Sequence, residues 1–166
     1  MVPDPIPKCP NCHFAFAADL FTKEEIIKLK TEFKGNNIFE VEPNMPKYYY
    51  LAREGEFIHR DKENIVWWFL SAVWENKDET LKKKLINITI EYINKLNEAD
   101  EIYNTYQMVK LDLLRRSGQF DDALQIIEKI KMNTEFYKDI IIKIIDYQIE
   151  LIKTKDKDEH SIPQNN

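Results

Sequence analysis

The chain has 166 residues, 43% of them hydrophobic, which is enough for one domain with a real core and excludes a disordered chain. Glycine occurs only 3 times, which argues against a turn-rich sheet and against a phosphate-cradling loop. Lys and Arg total 24 against 29 Asp and Glu, a net charge of −5, and this acidity argues against a nucleic-acid coat, which needs a basic face.

In chain order, residues 1–21 are expected to be irregular, because Pro3, Pro5, Pro7 and Pro10 block helix. Met1 to Pro10 carries no apolar run, so no signal peptide is expected. No stretch approaches the ~18 uninterrupted apolar residues of a membrane span, and a cytoplasmic protein is expected. Within this stretch, Cys9-Pro10-Asn11-Cys12 has the spacing of a metal knuckle or a thiol pair rather than of a disulfide framework. Phe14 to Ala17 alternates and suggests a short extended piece.

Thr22-Lys23-Glu24-Glu25 then reads as a capping box, with Phe21 and Ile26 placed for a hydrophobic staple. The helix it starts runs through Phe33 and stops at Gly35-Asn36-Asn37. From Lys47 onward the periodicity predicts only helices, at about 47–59, 62–75, 78–96, 99–117, 119–131 and from a Thr134 cap to Lys153. Residues 154–166 are charged and polar and read as a flexible tail. The expected organisation is thus a knuckle segment at 1–21, a helical-repeat domain at 22–153 and a tail at 154–166.

The motifs that carry chemistry are few. Cys9 and Cys12 supply two of the four ligands of a tetrahedral zinc, with His13 and His59 as the remaining candidates or a second chain supplying its own pair. Unmetallated thiols in a local turn stay open as the plainer reading. Redox chemistry ranks below both, because no strand–helix context of the thioredoxin kind follows the cysteines. A zinc here is expected to be structural, since no HExxH-type spacing supplies a general base.

Trp67 and Trp74 are seven apart on one helical face and are either hairpin core or anchors for a partner. Arg115 and Arg116 either answer the helix dipole or bind a carboxylate or phosphate. The last helix carries two apolar stripes, one of them including Ile141 and Ile145, and only a narrow polar line. That pattern suggests a second packing surface, for a partner or a second copy, with the N-terminal segment as the alternative cover.

Gly118-x-Phe120-x-x-Ala123 resembles the tetratricopeptide-repeat signature, in which a glycine ends one helix and a small residue opens the next. Tyr48-x-x-Leu51-Ala52 resembles the start of the first helix of such a repeat. In that register Asn64 stands where alanine is usual and Gln107 where an aromatic is usual. The separation of Asn64 from Ala123 is no multiple of the ~34-residue period; the surplus is about one helix, which 78–96 supplies. Taken in order, the knuckle, the Tyr-Leu-Ala helix, the Trp-rich helix and the Arg-Arg-x-Gly hinge resemble a poorly characterised bacterial family. That family couples a rubredoxin-type knuckle to tetratricopeptide-like helices. His13 departs from it, since glycine normally follows the second cysteine of such a knuckle.

The resemblance implies a bacterial source and a scaffold role. The expected fold is all-α, stacked antiparallel helical hairpins with a small irregular N-terminal CxxC knuckle. The expected function is a non-enzymatic scaffold or adaptor that binds a protein through a helical-repeat groove, with Tyr48, Trp67, Trp74, Arg115, Arg116, Ile141 and Ile145 as contact residues. A structural zinc and a homodimer through the last helix are expected with it. The alternative is a zinc- or thiol-dependent enzyme using Cys9, Cys12 and His13.

Overall fold

The computed structural model describes residue 15 and residues 20–33, 45–99 and 102–160. These form seven α-helices: α1 Lys23–Phe33, α2 Lys47–Ile58, α3 Lys62–Glu75, α4 Glu79–Ile93, α5 Tyr103–Ser117, α6 Phe120–Met132 and α7 Asp139–Lys153. The chain falls into two compact units, Met1–Thr89 and Ile90–Asn166. None of the described helices is long and apolar enough to cross a membrane. The fold is all-α, with helices packed in sequential pairs.

In the first unit the expected capping box is present. The Glu25 N–H donates to Thr22 Oγ1 at 3.2 Å and the Thr22 N–H donates to Glu25 Oε2 at 2.7 Å, so two end-of-helix donors are satisfied reciprocally. Arg60, from the turn between α2 and α3, reaches this cap. It bonds Glu25 Oε1 and donates to the Leu20 carbonyl at 2.8 Å. Helices α2 and α3 form a hairpin whose turn is closed by His59 in the left-handed conformation, φ 60°, with the Arg60 N–H on the Gly55 carbonyl. Asp61 caps α3 by accepting the Glu63 N–H.

The buried faces of this hairpin supply Tyr50, Leu51, Ala52, Ile65, Phe69 and Val73. Large side chains of this kind each contribute roughly 1.5–3 kcal/mol when fully buried. Close approach is set at Gly55, where a Cβ would lie 2.7 Å from the Trp68 ring.

In the second unit α5 and α6 form the corresponding hairpin. Gly118 ends α5 at φ 83°, and its N–H and that of Gln119 bond the carbonyls of Arg115 and Leu114. Ala123 is fully buried near the start of α6, as the close-packing argument requires. Helix α7 packs on both α5 and α6. It contributes Ile145, Leu151 and Ile152 to a core with Leu111, Leu114 and Ile127.

Four helix starts differ from the sequence reading, that of α6 by a single residue, at Phe120. Helix α4 begins one residue later than expected, with Asp78 accepting the Leu81 N–H as its cap. Helix α5 begins at Tyr103 rather than near residue 99. The Asn97 side chain takes the Ala99 N–H and so favours a local turn over helix. Helix α7 begins at Asp139 rather than after Thr134. Asn133 captures the Phe136 N–H with its side chain and the Tyr137 N–H with its carbonyl, and Asp139 itself takes φ 40°.

Candidate protein-interaction surfaces

The first candidate surface is on α3. Residues 67, 71 and 74 share a face at helical spacing. Trp67 is 56% exposed and Trp74 45% exposed, and their rings meet edge to face at 5.3 Å and 76°. Ser71 between them is small, and its hydroxyl donates to the Trp67 carbonyl at 2.9 Å. Trp68, one residue along, points the other way into the hairpin and is buried against Phe21. The three tryptophans thus divide into one core residue and two surface residues. At the start of α2, half-buried Tyr48 lies beneath the Lys47 ammonium, which also pairs with Glu75 at 3.2 Å.

The second candidate surface is on α5. Arg115 is 1% exposed, so it belongs to the interior rather than to a free surface. Its Nε donates to Gln148 Oε1 on α7 at 2.9 Å, and its Nη2 donates to Asp112 Oδ1 at 2.9 Å. The remaining donors hold the chain beyond α7: Nη1 bonds the Asp156 carbonyl at 2.7 Å and Nη2 the Asp158 carbonyl at 3.0 Å. Arg116 bonds Glu159 Oε2 at 3.0 Å and lies 3.6 Å from Asp112 Oδ2. Residues 154–160, which the sequence reads as a flexible tail, are therefore held by two guanidiniums. The Asp156 carboxyl is held below its usual range, first by its bond to His160 at 3.0 Å and then by the Asp158 N–H.

On α7, Ile145 is fully buried and Ile141 half-buried, whereas Ile140 is 57% exposed and Ile142 is also exposed. The free apolar edge of this helix therefore lies at its N-terminal turn and not along the full stripe.

Of the metal candidates, Cys9, Cys12 and His13 lie outside the described residues. His59 is exposed at the end of α2. No group of three or more His, Cys, Asp or Glu that could hold a metal ion occurs among the described residues.

Sequence reasoning overlooked Glu54, in the middle of α2. It is 1% exposed; its Oε1 accepts the Ala15 N–H at 2.7 Å, and its Oε2 has no hydrogen-bond partner among the described residues. Burial pushes its carboxyl up to about 8, against the opposing pull of the Ala15 bond. A carboxyl on an otherwise apolar helical face is the only signal in the sequence that could have marked it.

The chain matches no protein-family model, no curated protein and no solved structure.

Proposed function

We propose that this chain is a non-enzymatic interaction scaffold of tetratricopeptide-like hairpins, which binds a protein partner through the Trp67–Trp74 face of α3. The observation that carries this reading is the exposure of both indoles, stacked edge to face, on a helix whose other side is fully packed. Large aromatics anchor interfaces because they offer much apolar area at little conformational-entropy cost. A folded monomer has no reason of stability to hold two of its three tryptophans in water. The small residues at the hairpin crossings, Gly55 in the first unit and Ala123 in the second, support the tetratricopeptide-like description.

The proposal is tested by affinity capture with the full chain and with Trp67→Ser/Trp74→Ser. Both positions are exposed, so helicity and melting stay unchanged while partner capture falls at least tenfold. Equal capture by both chains overturns this surface.

A structural zinc at Cys9 and Cys12, and a dimer through the exposed Ile140 edge of α7, are part of the same proposal. Native mass spectrometry of untagged chain purified without chelator reports both. One zinc per chain supports a completed knuckle, and one zinc per dimer supports a knuckle shared between copies. An apo monomer removes both features.

A further inference from the structure

We propose that the Arg115–Arg116 face of the second unit is a site for an acidic peptide, occupied here in cis by the chain's own residues 156–159, and that an acidic segment of a partner protein takes their place. The recognition chemistry is visible in the cis occupant. Two of the four hydrogen bonds of Arg115 go to main-chain carbonyls, those of Asp156 and Asp158. Such bonds read a peptide backbone whatever its side chains. Selection for acid comes from the side chains: Glu159 on Arg116 at 3.0 Å, and the Asp156 carboxylate 3.8 Å from Arg115. Among the described residues outside the segment, Asp112 is the carboxylate that pairs with these two guanidiniums, one negative charge against two positive ones.

The floor of the site is shaped for one residue more. Lys157 lies across Gly118, where a Cβ would come within 2.8 Å of its Cε, and its ammonium sits 5.9 Å from the centre of the Phe120 ring. The pattern read is thus acid, long side chain, any residue, acid.

Two features make the cis segment exchangeable. Residues 157–160 are exposed and Asp156 is half-buried, so polar contacts rather than apolar burial hold the segment. In addition, the turn that brings it back onto α5 places Lys155 at φ 54°, a left-handed conformation that a side chain with a Cβ adopts at a cost. A segment arriving in trans makes the same carbonyl and carboxylate contacts without that turn.

The probe is a fluorescent peptide of the chain's own sequence Lys155-Asp156-Lys157-Asp158-Glu159-His160, titrated into two full-length chains. One is wild type; the other carries Asp156→Ala/Glu159→Lys, which weakens the cis occupant. The variant is expected to bind the peptide at least tenfold more tightly than wild type. Adding Arg116→Glu to that variant is expected to remove the gain. A readout on the unaltered chain guards against misfolding: saturating peptide is expected to speed amide hydrogen exchange in residues 154–160. Equal binding by both chains, a gain that survives Arg116→Glu, or exchange that peptide leaves unchanged would each overturn the proposal. So would dimers that trade their own tails and resist the peptide.

Discussion

A carboxyl group enclosed with no cation paired to it among the described residues writes its cost into the pH dependence of the fold. Glu54 has its carboxyl raised to about 8 in the folded chain, above its ordinary value of 4.5. The folded state therefore binds more protons than the unfolded state between those values. Its contribution to stability is fully present below the unfolded value and is lost as pH rises through about 8, by a total on the order of 5 kcal/mol. Thermal melting from pH 5 to pH 8 is expected to show this decline in wild type. Glu54→Gln keeps an acceptor for the Ala15 N–H and is expected to flatten the curve; a decline of equal size in the variant would locate the titrating group elsewhere.

At this scale the sequence was unevenly legible. Thr22 and Glu25 announced their reciprocal bonds, because a capping box is a local pattern four residues long. Arg115 could not be placed, because its interior position depends on Gln148 and the carbonyls of residues 156 and 158, which are distant in sequence. Its neighbour Arg116 looks the same in the sequence and has a different set of partners.

Among the helices, the α5–α6 hinge shows how one glycine serves two purposes. Gly118 takes φ 83°, and its missing side chain also leaves the space that Lys157 crosses. Gly118→Ala is expected to cost about 1–2 kcal/mol from the backbone conformation alone, and to loosen residues 154–160 as well. Gly118→Asn separates the two effects, since asparagine tolerates the left-handed region but still carries a Cβ. Urea denaturation is expected to show a smaller loss for asparagine, while amide exchange in the tail rises in both. A tail that exchanges as in wild type in both variants would mean the space above Gly118 is immaterial.

The helices themselves were legible from periodicity, because each must bury one stripe, and five of the seven start within one residue of expectation. The starts of α5 and α7 come about four residues late, and that of α7 shows why. Asn133 and Thr134 are both acceptable caps by type, and the competition is decided by side-chain bonds that periodicity does not encode. The split of the tryptophans was legible only as a division of faces. Which face meets solvent follows from α2, whose Gly55 admits Trp68 and leaves Trp67 and Trp74 outside.

Across the molecule, the described residues make two units, each centred on a hairpin joined by a short turn. Such hairpins are rich in local contacts, and local contacts form early. The partners of Arg60 are of another kind: Glu25 and the Leu20 carbonyl lie 35 and 40 residues away along the chain. The guanidinium that secures the start of α1 is positioned only after the α2–α3 turn exists. The expected order of events in folding is therefore the hairpin first, with α1 docking onto it afterwards. Arg60 is then a brake on unfolding rather than a driver of folding. Arg60→Ala is expected to quicken unfolding about fivefold, the equivalent of about 1 kcal/mol for a partly exposed pair, with the refolding rate unchanged in stopped-flow measurements. Slower refolding would place α1 in the nucleus instead. In the expected case, the durability of the first unit over time rests on a contact that its folding speed never feels.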